Sequence, residues 1–168
     1  FSGLDLTVLP DSTDSRTLGI GIKSLSVRRA SAESKLMAKK NRPREAAELV
    51  LNGVVYTSVF NPTDGRKDWE SIVTAFCFAL GSRSDAILIL KITFNDLPAY
   101  LEDVFNLFSQ LHPFKCRIIV VHGFLEDGDF ENLLRATSYV VNTSKCEGQC
   151  LPLMEFMSAG KPAISPAN

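Results

Sequence analysis

A loop and helix start near the carboxyl end of the chain hold the residues best suited to chemistry. Two carboxylates, Glu147 and Glu155, stand on either side of a predicted helix start. Pro152 suits the first turn of that helix, where its missing N–H costs nothing, and Gly148 permits a close approach of the backbone. The pattern predicts a cleft in which carboxylates accept hydrogen bonds from hydroxyl groups.

The first turn of the same helix predicts an anion site. Free backbone N–H groups at a helix N-terminus bind anions, and the helix dipole favours negative charge beside them. These groups would belong to Gln149, Cys150 and Leu151, and a diphosphate is a suitable ligand. A carboxylate beside a bound nucleotide commonly holds ribose hydroxyls. The alternative is a plain helix cap, with Glu147 solvated and Glu155 in a structural bond.

A bound diphosphate needs cations nearby. The basic residues at predicted strand ends are Arg66, Lys67, Lys91 and Lys145. Arg66 and Lys67 follow the turn 61–65, and an exposed turn pair is the alternative for them. Lys91 lies within a predicted strand and can extend its ammonium to the edge, whereas Lys145 is typical of a solvated loop.

The elements that must position these residues alternate regularly from residue 54 onward. None of five short apolar runs alternates strictly between apolar and polar positions, which indicates strands of a parallel sheet covered on both faces. We therefore predict an α/β fold with a Rossmann-like doubly wound parallel sheet, which binds ligands beyond the carboxyl ends of its strands. The predicted strands are 54–60, 86–93, 116–121, 139–141 and 162–165. The predicted helices are 69–80, 97–111, one through 130–134 capped by Asp127 or Asp129, and 151–159.

The first 50 residues differ from the rest. The basic stretch Lys23–Arg44 indicates a linker or interdomain segment that is partly irregular, with contact to an anionic surface or partner as the alternative. Residues 44–51 have the pattern of a short helix. We place the folded domain at 51–168. Because the chain starts without Met and stops directly after a predicted strand, we expect a fragment of a longer protein, truncated at its C-terminus.

The composition excludes several classes of protein. With 45% hydrophobic residues, 22% charged residues and a net charge of -1, the chain is neither disordered nor basic enough for nucleic acid to be its main partner. It has no apolar run of about 18 residues, so we expect no membrane span. The four cysteines lack the spacing and the nearby histidine of a zinc site, which predicts no metal and reduced thiols in a cytoplasmic protein.

The residues around the two carboxylates match a known pattern. The block Ser144-x-x-Glu147-Gly148-x-x-Leu151-Pro152-x-x-Glu155 resembles the signature of family-4 retaining glycosyltransferases (glycosyl transferases group 1), with its Glu-x7-Glu motif. The turn 64–68 resembles the basic turn of that family, and the segment 122–124 resembles the place where its nucleobase docks. The resemblance covers 54–168. The chain departs from the family at 90–93, where a Gly-x-Gly turn is usual, and at Cys150, where glycine is usual.

The resemblance implies the C-terminal, donor-binding half of a GT-B fold. The reaction would transfer a hexosyl group from a nucleotide diphosphate sugar to an acceptor with retained configuration, and it would need no metal or other cofactor. Arg66 and Lys67 would neutralise the departing diphosphate, and Glu147 would contact sugar hydroxyls. The further donor-binding residues would be Glu155 on the ribose, together with Gly148, Gln149, Cys150, Leu151, His122 and Gly123.

The same resemblance implies an N-terminal acceptor-binding domain that is missing here, so we expect the fragment alone to be inactive. The parent protein would be cytoplasmic, with peripheral association to a membrane as an option. Two other hypotheses stay open: a non-catalytic Rossmann-like module that binds a nucleotide or a protein, and another GT-B enzyme such as an epimerase or a phosphorylase. The sequence identifies neither the sugar nor the base nor the acceptor.

Overall fold

A computed structural model of the chain describes residues 5–7, 25–28, 46–49, 51–93, 97–122, 125 and 127–167. The strands are β1 (Asp5–Thr7), β2 (Leu25–Arg28), β3 (Ala46–Leu49), β4 (Val54–Phe60), β5 (Ala86–Ile92), β6 (Arg117–His122), β7 (Tyr139–Val141) and β8 (Ala163–Ile164). The helices are α1 (Trp69–Leu80), α2 (Leu97–Leu111), α3 (Asp127–Ala136) and α4 (Leu151–Ser158), with a short 3-10 turn at Gly65–Lys67.

Six of these strands form one sheet in the order β1-β6-β5-β4-β7-β8. In this order, every pair of neighbouring strands between β6 and β8 is parallel. β1 pairs with β6 at the edge of the sheet and runs antiparallel to it. After β4 the chain adds β5 and β6 on one side, and then crosses over to add β7 and β8 on the other. The strand order therefore reverses between β4 and β7, and a crevice opens at such a switch point.

Helices cover both faces of the sheet, as the sequence predicts. All seven residues of β5 are buried because helices pack above and below them. On one face α1 and α2 meet at the rings of Trp69 and Tyr100, whose centroids are 4.8 Å apart. On the other face α3 and α4 meet at Phe130 and Phe156, at 6.0 Å. The predicted α/β doubly wound fold is confirmed.

The structure corrects one expectation about the first 50 residues. Ala46–Leu49 is a strand and not part of a helix, because it pairs antiparallel with Leu25–Arg28 and so obtains its main-chain partners across the pair. The domain boundary at 50/51 stays a prediction. No helix within the described residues is long and apolar enough to cross a membrane.

A charged residue lies inside this apolar sheet. Lys91, near the end of β5, is only 4% exposed, and its neighbours across the strands are Val59 and Val121. Its ammonium donates a hydrogen bond to the Ile92 carbonyl oxygen at 3.1 Å. Burial disfavours the charged form and lowers the pKa of Lys91 to about 8.

We predict that replacing this lysine stabilises the fold in a pH-dependent way. Below pH 8 the folded wild type holds a buried charge, and this cost disappears as the pH rises from about 8 to the ordinary pKa of 10.5. The stability of Lys91→Met relative to the wild type should therefore fall by about 3 kcal/mol between pH 7 and pH 10.5. Urea unfolding at both pH values measures this difference. Lys115→Met, at an exposed lysine, is the control. If the free energy of unfolding of Lys91→Met differed from that of the wild type by the same amount at both pH values, the prediction would be wrong.

Candidate functional site

Two loops meet at the switch point of the sheet, one after β4 and one after β7. The first loop is shaped by its own side chains. The Asn61 Oδ1 atom accepts hydrogen bonds from the Thr63 main-chain N–H and hydroxyl, at 3.0 and 2.9 Å. The Asp64 carboxylate then caps the 3-10 turn by accepting from the Arg66 N–H at 3.2 Å. These bonds explain why the sequence from Asn61 onward turns back toward the sheet.

Asp68 ends this loop and begins α1. Asp68 occupies the N-cap position of α1, but its side chain makes no capping hydrogen bond. Its backbone is left-handed, with φ at 48°, a conformation that Asp adopts more readily than most residues. The carboxylate instead lies 3.6 Å from the ammonium of Lys145 in the second loop.

The closest contact between the two loops is an ion pair. The Lys67 ammonium donates a hydrogen bond to Glu147 Oε1, and the two side chains are only 16% and 18% exposed. The bond from Lys67 lowers the pKa of Glu147, and a hydrogen bond from Ser144 lowers it further. Partial burial strengthens the attraction relative to a surface pair. The structure thus brings together two of the predicted catalytic residues.

Arg66 faces the rim of the site. Its guanidinium makes two hydrogen bonds to the Asp64 carboxylate, at 2.9 and 2.5 Å, and a third to the Cys146 carbonyl oxygen at 3.4 Å. The bonds from Arg66 hold the pKa of Asp64 below its usual range. About half of the Arg66 side chain is exposed, so it remains accessible to an anion.

The helix start that follows Glu147 is held by one buried aromatic residue. Phe156 is fully buried in the core, and it anchors α4 against the sheet. The helix begins at Leu151 as predicted, with Cys150 as its N-cap and a proline in the first turn. Among the described residues, the N–H groups of Gln149, Cys150 and Leu151 donate no hydrogen bond, which leaves them able to bind an anion.

The surroundings of Gly148 and Gln149 are open. A Cβ atom added at Gly148 would meet nothing within 4 Å, and its φ is not positive. The fold itself therefore does not require glycine at this position. The Gln149 amide donates to the Met154 sulfur at 3.5 Å, a weak contact that a ligand can replace.

The remaining predicted residues lie outside the two loops. Glu155 is exposed on α4, and its carboxylate has no hydrogen-bond or ion-pair partner within the part of the chain that is described. His122 is the last residue of β6, so its main chain lies on the same sheet edge, with β5 between it and β4. Gly123 lies outside the described residues. In the same described set, no three His, Cys, Asp or Glu side chains form a metal-ligand group.

Sequence reasoning missed two residues of this site. Asp64 was seen only as part of a turn, although a carboxylate two residues before an arginine in a turn is a local signal for their pairing. Thr143 gave no signal at all. Its hydroxyl lies 2.9 Å from the Lys67 carbonyl oxygen, and this contact across 76 residues depends on the sheet order.

No family model matches the chain, and no curated protein matches it. Among solved structures, it is similar to the C-terminal domain of a glycosyl transferase group 1 family protein (LpcC) from Francisella tularensis. The identity is 24% and the TM-score 0.49, and the match covers 68% of this chain and 59% of that one.

We predict that the ion pair contributes to stability only when Glu147 is ionised. Lys67→Met should lower the free energy of unfolding at pH 7 by about 1–3 kcal/mol, because it leaves a part-buried carboxylate without its charged partner. The lowered pKa of Glu147 means that the pair stabilises the fold above the ordinary value of 4.5. That contribution is lost as the pH falls through the lowered pKa.

Urea unfolding between pH 7 and pH 3 checks this prediction. The difference in the free energy of unfolding between the wild type and Lys67→Met should shrink as the pH falls below 4.5. Lys115→Met, an exposed lysine far along the chain from the site, should show no such trend. A difference for Lys67→Met that does not change with pH would show that Glu147 is not its partner.

Proposed function

We propose that the chain is the donor-binding part of a retaining glycosyltransferase of GT-B type. Such an enzyme transfers a sugar, of hexosyl type, from a nucleotide diphosphate sugar to an acceptor. The observation that carries the proposal is that Lys67, Glu147 and the start of α4 come together at the switch point of a doubly wound sheet. Nucleotides bind at this position in such folds. The signature that includes Glu147 and Glu155 supports the same class.

The chemistry of the donor matches the groups at the site. A diphosphate carries negative charge that the Lys67 ammonium and the free N–H groups at the start of α4 can bind. As the bond between the sugar and the diphosphate breaks, further negative charge develops on the leaving oxygen. Lys67 and the accessible Arg66 would stabilise that charge, which lowers the barrier to departure. This electrostatic role needs only cations that are already held in place, and the bonds of Arg66 to Asp64 and Cys146 hold one of them.

The ion pair implies an exchange of partners when the donor binds. A phosphate group that approaches Lys67 must compete with the Glu147 carboxylate, since both are anions that seek the same ammonium. A carboxylate released from Lys67 can accept hydrogen bonds from the hydroxyls of the donor sugar. Glu155, exposed and without a partner among the described residues, is suited to the ribose hydroxyls. His122 and Gly123 would contribute to docking of the nucleobase.

The acceptor would bind to a separate N-terminal domain of the parent protein. On this proposal the residues of the chain bind and activate the donor, and the second domain completes the cleft. The chain alone would then bind a nucleotide sugar without transferring it. The protein would be cytoplasmic, with peripheral association of the parent to a membrane as an option.

We predict that the full-length protein binds at least one of UDP-, GDP- and ADP-sugars in a calorimetric titration. Glu155→Ala should weaken that binding by about 1–3 kcal/mol, because the Glu155 carboxylate no longer accepts a hydrogen bond from a ribose hydroxyl. Glu131→Ala is the matched control. Glu131 is an exposed glutamate on α3 that pairs with Arg135 of the same helix, so its replacement should leave donor binding unchanged.

The outcomes separate the proposal from its alternative. Absence of binding to every nucleotide sugar would contradict the proposed function. Binding that survives the loss of both Glu147 and Glu155 would favour a non-catalytic Rossmann-like module. If Glu155→Ala and Glu131→Ala weakened donor binding equally, the effect would be one of overall charge and not of a ribose contact.

A second prediction concerns the backbone at Gly148. Because a Cβ atom there meets nothing within 4 Å, Gly148→Ala should leave the thermal unfolding midpoint nearly unchanged. Donor binding should nevertheless weaken about tenfold, since the added methyl group occupies the space through which the ligand approaches the backbone. Gly128→Ala is the control, because Gly128 lies in α3 with equally open surroundings. Full donor affinity in Gly148→Ala would contradict the close approach.

A further inference from the structure

Hydrogen bonds outside the sheet hold the two loops of the site together. The pairing between β4 and β7 joins Tyr56 to Tyr139 and Thr57 to Val140, and it ends before either loop begins. Past that point the loops contact each other through bonds of their own. One of these joins main chain to main chain, from the Lys145 N–H to the Arg66 carbonyl oxygen at 2.9 Å.

The side chain of Thr143 is central to this contact. Its hydroxyl oxygen lies 2.9 Å from the Lys67 carbonyl oxygen and 3.1 Å from that of Asp68. The Lys67 carbonyl precedes α1 and is outside the hydrogen-bond ladder of that helix. The hydroxyl therefore supplies a donor to a carbonyl group that is partly buried, and it does so at the residue whose side chain pairs with Glu147.

We infer that Thr143 is a positioning residue for the donor site, because its hydroxyl fixes the main chain at Lys67 and so the place of the Lys67 ammonium against Glu147. Thr143 precedes Glu147 by four residues in the same loop. One side chain thus ties the loop of the carboxylate to the backbone of the cation. The consequence for donor binding rests on the proposed function, whereas the consequence for the ion pair does not.

The strained backbone beside Lys67 gives this bond a further role. The left-handed conformation of Asp68 is unfavourable for residues with a side chain, although Asp tolerates it better than most. Two contacts from the second loop oppose that strain: the Thr143 hydroxyl at the Asp68 carbonyl, and the Lys145 ammonium at the Asp68 carboxylate. Loss of the hydroxyl would let the turn relax and move Lys67 away from Glu147.

The test compares two substitutions of Thr143 with one at a matched threonine. Thr143→Val keeps the shape of the side chain and removes the hydroxyl, whereas Thr143→Ser keeps the hydroxyl. Thr63→Val is the control, because the Thr63 hydroxyl bonds to Asn61 in its own turn and, among the described residues, to nothing in the second loop. The readout is the pKa of the Glu147 carboxyl, from an NMR pH titration of the full-length protein labelled with carbon-13 at glutamate carboxyls. Glu147→Gln identifies the signal.

We expect Thr143→Val to raise the pKa of Glu147 toward its ordinary value, because the Lys67 ammonium is no longer held beside it. Thr143→Ser and Thr63→Val should behave like the wild type. For whichever of UDP, GDP and ADP the wild type binds, the dissociation constant of Thr143→Val should rise about three- to tenfold. If Thr143→Val does not fold, Thr143→Ala compared with Thr143→Ser gives the same readout.

A merely structural role predicts a different result. In that case Thr143→Val would lower the stability of the protein while the pKa of Glu147 stayed as in the wild type, and this result would overturn the inference. A wild type that binds none of the three nucleotides would refute the proposed function alone. The pKa comparison would still decide the role of Thr143, since it needs no ligand.

Discussion

The ion pair between Lys67 and Glu147 joins two loops that the sheet leaves separate. Each side chain is more than four-fifths shielded from water, so either charge alone would be costly to hold there. The pair therefore fixes how the loops after β4 and β7 sit against each other. The bonds of Thr143, Lys145 and Arg66 between the same loops add to that constraint. The rim of the candidate site depends on this set of contacts.

The sheet supplies the rigid base on which those contacts can form. Its strand order places β4 and β7 side by side, so that Thr57 lies opposite Val140, which follows it by 83 residues in the chain. Burial of β5 on both faces and of Phe156 beneath α4 holds the strands and the helix start in place. A rigid base matters for the proposed reaction, because stabilisation of a leaving diphosphate requires cations that do not have to reorganise.

Much of this arrangement follows from the sequence, because the signals are local. The run 86–92, apolar except for Lys91, indicates a strand buried on both faces. The proline in the first turn together with Gly160 marks the limits of α4. The contacts that shape the site are different in kind. The bond from Thr143 to Lys67 and the ion pair to Glu147 span 76 and 80 residues, and no local pattern encodes them. The local pattern of 44–51 favours a helix, whereas 46–49 is a strand, because its pairing partner lies 18 to 24 residues earlier and is not part of the local pattern.

The central claim is that a nucleotide diphosphate sugar binds where these two loops meet. A crystal structure of the full-length protein with the nucleotide sugar that it binds most tightly tests this claim most directly. The account predicts that the diphosphate lies against the Lys67 ammonium and the N–H groups at the start of α4, with Glu147 turned from Lys67 to the sugar. A ligand bound elsewhere on the protein, with the pair of Lys67 and Glu147 intact, would contradict it.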